Sequence, residues 1–463
     1  MARRLPAAAA AIVVILSCVP PARPPVVDPA RTRLDSMLAA DREAAREAAR
    51  AEAAAAAEAA ADSAALAAIS PPPDWAADDH SPIIRIALST AARDPAVSAT
   101  GSWRLHDAAT GAVLVRALPG EEWRVQRASQ RLRAVRDSRT GSAAAAQIVA
   151  RPAEPMAFLV INGRRYRGEI AFTPTDSGVL VMNRLPLEQY LRGVVPLEIG
   201  DRVLAEREAV AAQAIAARSY TYVRRMASAS RPYDLGATVL DQVYGGVDAE
   251  KPVSDLAVLQ TRGLVLRFGG RIVNTPYHST CGGTTAAAPE VWRSAGEPYL
   301  RRVSDRIPGT DRHYCDVSSR FRWTRTYSGT ELSQVLERYL RSYASVPSGR
   351  LGAIRDVETD GRTASGRTEA LIVATERGRF RVRGNDMRFV LRTSGGEILN
   401  STYFSVRPTI ERGSVSRLVI TGHGYGHGVG MCQWGAIGRA RAGQDFRTIL
   451  STYYPGTTVA PAQ

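Results

Sequence analysis

Leu185-Pro186-Leu187-Glu188-Gln189-Tyr190-Leu191-Arg192-Gly193-Val194-Val195-Pro196-Leu197-Glu198 is followed, after a short link, by Ala211-Ala212-Gln213-Ala214-Ile215-Ala216-Ala217-Arg218-Ser219-Tyr220. The first run sets a carboxylate, Glu198, just after an apolar stretch and a proline and just before a helix. The second run belongs to that helix. Asp201 is suited to cap it, and residues 203–226 are rich in Ala, Glu and Arg with apolar positions at helical spacing. Its many alanines allow close packing against a sheet. Desolvation at such a place raises the pKa of Glu198 and makes it a usable acid. The competing reading is an ordinary solvated carboxylate near a helix start.

Upstream of this stretch the pattern is that of strands. Ile83-Ile84-Arg85-Ile86-Ala87-Leu88, Val113-Leu114-Val115 and Phe158-Leu159-Val160-Ile161 are short runs separated by Gly, Asp and Pro. They predict a small β-rich module over residues 80–180. Downstream, Gly263-Leu264-Val265-Leu266-Arg267-Phe268 and Arg271-Ile272-Val273-Asn274 flank Gly269-Gly270, a hairpin signature. A helix-like stretch at 331–344 precedes a β stretch over 354–390. A helix over 431–442 is closed by Gly443, and Asp445 caps a shorter one that stops at Pro455-Gly456. The fold class is therefore α+β, a β-rich core with a few packed helices.

The N-terminus indicates export. Arg3 and Arg4 precede residues 7–17, which are small or apolar; as a helix they reach about 17 Å against a bilayer core of about 30 Å. Residues 1–18 thus read as a signal peptide. The run ends Ile15-Leu16-Ser17-Cys18, which resembles a lipobox with Cys18 as the lipidated residue. Residues 19–79 form a Pro/Ala-rich tether, helical or disordered, with 19 alanines between positions 31 and 70 and no large apolar stripe to bury. The 463 residues, 45% of them hydrophobic, suffice for a sizeable core. The formal net charge of +15 favours an anionic partner. Lys251 is the only lysine, however, so the arginines reflect a composition bias, and no arginine stripe interleaved with aromatics points to nucleic acid.

Two further segments carry chemistry. Tyr277-His278-Ser279-Thr280-Cys281-Gly282-Gly283 brings an imidazole and a thiol to the end of a strand, and His313-Tyr314-Cys315 follows about thirty residues on. Three readings are open: a structural zinc site of His278, Cys281, His313 and Cys315, a Cys281–Cys315 disulfide, or a Cys281 nucleophile paired with His278. Counting Cys432 in the mature chain, one thiol is left free or metal-bound. Gly422-His423-Gly424-Tyr425-Gly426-His427-Gly428-Val429-Gly430-Met431-Cys432-Gln433-Trp434-Gly435 is too glycine-rich for a helix, so His423 and His427 lie on a loop. Either it lines a substrate or it is a tight structural crossing.

In this order, Val-Val-Pro-x-Glu, Ala-Gln-Ala-x-Ala-Ala-Arg-Ser-Tyr, Tyr-His-Ser-Thr-Cys-Gly-Gly and Gly-His-Gly-Val-Gly-Met-Cys-Gln-Trp-Gly-Ala, leading to Tyr-Tyr-Pro-Gly-Thr, resemble the family of stage II sporulation protein D and the amidase enhancer LytB. The likeness covers residues 155–460. It implies a peptidoglycan-active domain with a glycan-binding groove in the bacterial cell envelope. Enzymatic members are lytic transglycosylases acting on strands without stem peptides, and their catalytic glutamate falls on Glu198. Where members usually read Ser-Glu-Met-Pro, this chain has Leu197-Glu198-Ile199-Gly200, and its link to the helix is longer. With the 6-hydroxyl of the muramic sugar as nucleophile, one carboxyl suffices and no cofactor is required, unlike paired-acid glycosidases. Arg218, Tyr220, Tyr244, His278, His423 and His427 are the candidate substrate-binding residues. The implied partners are glycan strands, a cell-wall amidase and the membrane through the lipid anchor. The alternative is a non-catalytic enhancer that presents glycan to that amidase.

Overall fold

The computed structural model describes residues 79–463 and, ahead of them, a set of positions between 46 and 65. The chain divides into two units, Met1–Ser63 and Ala64–Gln463, and the described positions of the first are helical. Residues 1–18, read above as a signal peptide ending at Cys18, lie outside the described residues, as does most of the 19–79 stretch read as a tether. Among the described residues no helix is long and apolar enough to cross a membrane.

The second unit is mixed and strand-rich. Ile83–Ala92 pairs antiparallel with Gly178–Pro186, Ile84 facing Leu185 and Ile86 facing Asn183. Because strand side chains alternate, Ile84 and Ile86 are fully buried on one face while Ala87 joins a small cluster on the other. A seven-stranded sheet results, in the order Leu235–Gly236, Ile83–Ala92, Gly178–Pro186, Glu169–Thr175, Ile148–Pro152, Trp103–Asp107, Val113–Ala117. A five-stranded sheet that includes Trp123–Ala128 and Leu159–Ile161 shares its apolar core. One core takes residues from Ile84 to Cys315 and again from Val429 to Tyr454, so the strands of 80–180 are built into the same body as the later motifs.

The expected long helix is present as Arg207–Ala227. It starts later than its composition suggests, because Leu204–Glu206 forms a 3₁₀ turn and Glu206, not Asp201, precedes it without a side-chain cap. Its alanines allow close approach, since Ala209, Ala212, Ala214, Ala216 and Ala217 are all fully buried. The neighbours are chiefly the helices Pro252–Gln260, Gln433–Arg441 and Phe446–Tyr453, with the strand Leu264–Phe268 beside them, and not the sheet face expected. Gln433 on the later helix Gln433–Arg441 donates to Gln213 across the contact at 3.3 Å. The hairpin forms as expected, with Arg267 opposite Ile272, and Thr458–Pro461 adds a strand on its other side. Asp445 caps Phe446–Tyr453 by accepting from the Thr448 amide at 2.7 Å.

A second core was not separable in the sequence. It comprises the sheet of Arg322–Ser328, Ser414–His423 and Phe404–Glu411, the sheet of Ile354–Arg362, Thr368–Thr375 and Gly378–Arg383, and the helix Gly329–Tyr339 capped by Ser328. The 354–390 stretch ends in a short helix, Asp386–Val390, not a strand. This core lies in sequence between Cys315 and the glycine-rich loop, and its strand Ser414–His423 delivers the chain into that loop.

Candidate active site

Glu198 lies within a short helix, Val195–Ile199, with Pro196 in its first turn, and Gly200 (φ 88°) turns the chain away after it. The side chain is half-buried, and one carboxylate oxygen accepts the Val243 amide at 3.0 Å. Burial raises its pKa from 4.5 to about 7 against the opposing pull of that amide, and no cation contributes to the balance. Three phenols, Tyr190, Tyr220 and Tyr277, feel the Glu198 charge, and burial pushes Tyr220 up to about 12. Gln242 ties the surround together: its carbonyl oxygen accepts from Tyr190 (3.2 Å) and Thr221 (2.8 Å), and its amide donates to the Tyr277 hydroxyl at 3.0 Å. Leu197, Val239 and Leu240, on the segments that meet at the carboxyl, are 45%, 85% and 89% exposed. The arrangement sets a protonatable acid beside hydroxyl groups and exposed apolar side chains.

The structure separates two of the candidates from this acid. Arg218 is completely buried and forms a bidentate pair with Glu188, at 2.8 and 2.7 Å, while its remaining donors go to the carbonyls of Leu264 and Val258. It therefore orients neither Glu198 nor a sugar, because its guanidinium is saturated inside the core. Tyr244 is also a core residue: its ring packs between Tyr166 and Tyr190 and its hydroxyl donates to Asn183 at 2.8 Å. Tyr220 does join Glu198. Gln242, Tyr190 and Tyr277 as partners of the acid, and Glu188 as the partner of Arg218, carry no local sequence signal and were missed.

The histidines form two other groups. His278 is buried against the Val429 carbonyl (3.1 Å), its ring 5.4 Å from that of His427, which in turn lies 5.1 Å from Trp292. Burial pushes His278 well below 6.5 and His427 to about 3, with nearby arginines adding to the effect, so both are neutral. His423 lies against Phe321 and Tyr403. The glycine-rich loop is a close crossing over residues 276–286, with Thr280 and Tyr425 exchanging backbone hydrogen bonds at 3.0 and 2.8 Å. Gly430 (φ 70°) is where the crossing is tightest, since a Cβ there would run into the Pro276 carbonyl. Gly430→Ala is expected to part the strand pair Tyr277–Met431 and His278–Cys432, at a cost of roughly 1–3 kcal/mol readable as a lower unfolding midpoint.

Cys281 and Cys315 do come together, but unbonded, their sulfurs 3.4 Å apart. His278 and His313 stand outside that pair: the first is turned to Val429, and the second packs on Phe321. The structure gathers a different set around the thiols, Cys281, Asp305, Cys315 and Cys432, whose ligand atoms all lie within 4.8 Å of one another.

An α+β scaffold carrying a desolvated, cation-free glutamic acid among tyrosines defines a class of carboxyl-acid site on a strand-rich body. Residues 175–268 match the SpoIID family, Stage II sporulation protein, and residues 310–430, largely the second core, match a domain of unknown function, DUF8618. Stage II sporulation protein D of Bacillus subtilis is 30% identical over 298 residues, which is 61% of this chain and 76% of that protein. An uncharacterized protein of Brachyspira hyodysenteriae is 31% identical over 302 residues, 65% of this chain and 73% of that one. The amidase enhancer of Bacillus subtilis is 31% identical over 303 residues, 58% of this chain but only 40% of that longer protein. The chain belongs to the stage II sporulation protein D family.

Proposed function

We propose that this is a cell-wall protein of the bacterial envelope, a lytic transglycosylase that cleaves peptidoglycan strands lacking stem peptides with Glu198 as its acid. The observation that carries the reading is the carboxyl itself, held near pKa 7 by burial with no ion pair to keep it charged. Protonated Glu198 donates to the glycosidic oxygen as the bond from C1 of the muramic sugar breaks. The ionised carboxylate then takes the proton of the 6-hydroxyl as that oxygen bonds to C1, closing a 1,6-anhydro ring and restoring the acid. One carboxyl can run this cycle, because no second acid is needed to activate water. A lipid on Cys18 and the tether behind it would hold the protein at the membrane and let the acid reach the wall.

Incubation with denuded glycan, with anhydro-ended products read by mass spectrometry, tests the activity. Its pH profile follows from the raised pKa: cleavage requires the protonated form, so the rate is expected to fall above about pH 7, by about tenfold per unit. A rate flat to pH 9 contradicts Glu198 as the acid. The relative named amidase enhancer favours the second reading, in which the same surface binds glycan and presents it to an amidase. Glycan binding without cleavage, and faster amidase action in its presence, would select that reading.

A further inference from the structure

We propose that Cys281, Cys315, Cys432 and Asp305 form a closed structural zinc site that staples the crossing of the glycine-rich loop over residues 276–286. All four side chains are fully buried. Tetrahedral zinc with ordinary bond lengths separates two sulfurs by about 3.8 Å and a sulfur from an oxygen by about 3.5 Å. The Cys281 sulfur lies 3.4 Å from the Cys315 sulfur and 3.7 Å from Oδ2 of Asp305, each within a few tenths of an ångström of those separations, and all four ligand atoms lie within 4.8 Å of one another.

Hydrogen-bond donors converge on two of the four side chains. The sulfur of Cys432, at the start of the helix Gln433–Arg441, accepts the amides of Cys281 (3.1 Å) and Gly435 (3.3 Å), bonds that favour a thiolate. Oδ1 of Asp305 accepts from the Tyr453 hydroxyl at 2.6 Å and from Arg439 at 3.3 Å, which leaves Oδ2 facing the sulfurs. That is the arrangement by which outer partners aim a ligand at a metal. Gly435 is part of the construction, since a Cβ there would stand 2.6 Å from Oδ2 and collide with the Tyr453 hydroxyl.

Charge supplies an independent argument. Arg367 is 1% exposed, donates to the carbonyls of Cys281 and Thr284, and has two guanidinium nitrogens without a hydrogen-bond partner. Such a buried cation is costly unless anions lie near, and the groups that favour its charge are the Cys281 thiol, the Glu290 carboxylate, Tyr403 and the Cys432 thiol. Three thiolates and a carboxylate around Zn²⁺ carry two excess negative charges, which two buried guanidiniums, Arg439 and Arg367, offset. With four protein ligands no position is open for substrate, so the ion holds structure and performs no chemistry. It joins segments 151 residues apart, Cys281 just beyond the strand that bears Tyr277 and Cys432 on the strand paired with it.

The test uses the full-length chain purified without chelator. Elemental analysis is expected to give one zinc per chain, with Cys281, Cys315 and Cys432 protected from alkylation until the metal is stripped. Co²⁺ exchanged into the site should give the visible bands of tetrahedral thiolate coordination. Cys432→Ser is expected to lose the zinc. If that variant fails to fold, Asp305→Cys, which offers a fourth thiolate, should retain zinc and raise the thiolate-to-cobalt charge-transfer intensity by about a third. A Cys281–Cys315 disulfide in metal-free protein overturns the proposal, as does a folded, reduced chain that takes up neither Zn²⁺ nor Co²⁺. These readouts do not depend on whether Glu198 cleaves glycan.

Discussion

Glu198→Gln is expected to reduce anhydro-product formation from denuded glycan at least about a hundredfold while leaving glycan binding and the fold intact. The amide keeps the shape of the side chain and an oxygen for the Val243 amide, and removes only the proton. Stability gives a second readout with a definite sign. Because burial raises the folded pKa from 4.5 to about 7, the folded protein holds more protons than the unfolded chain between those values. Wild-type stability therefore falls as pH rises through that window, and the loss is complete above it. Glu198→Gln lacks this loss, so its unfolding midpoint should match or exceed wild type at pH 8, with the gap closing toward pH 4. A variant that cleaves at the wild-type rate removes Glu198 from the mechanism. A wild type that never cleaves makes the enhancer reading the better one.

The second large effect is expected at Arg218. Arg218→Ala leaves Glu188 buried at 1% exposure with its two guanidinium bonds gone, and removing one partner of such a pair typically costs about 3–5 kcal/mol. Arg218→Lys should recover part of this at most, since an ammonium cannot reproduce the two-pronged bond and also reach the Leu264 carbonyl. Denaturant unfolding measures both. Replacing the pair together, by Arg218→Met with Glu188→Leu, is expected to restore much of the stability because no unpaired charge remains. If Arg218→Lys instead leaves unfolding unchanged and weakens glycan binding, the arginine contacts sugar and the buried pair is not its role.

Much of the architecture could be read along the chain because its signals are local. Period-two runs such as Ile84 and Ile86, the Gly269-Gly270 turn, the alanine-rich helix and the Asp445 cap each depend on residues a few positions apart. The order of the four motifs was enough for the family resemblance, and that resemblance singled out Glu198, which its apolar run alone left open between a desolvated acid and an ordinary solvated carboxylate. Partner choice is a different kind of quantity, set by which face of an element is turned inward and by loops that cross. Arg218 faces Glu188, 30 residues earlier, and not Glu198, because its side of the helix packs into the core. Tyr244 points at Asn183, inside the sheet. Cys281 and Cys315 could be paired from their spacing with the histidines nearby, yet Asp305 and Cys432 complete the cluster. Residues 281 and 432 meet only because a parallel strand pair and a glycine crossing bring their segments within a hydrogen bond of each other, and no local periodicity encodes that contact.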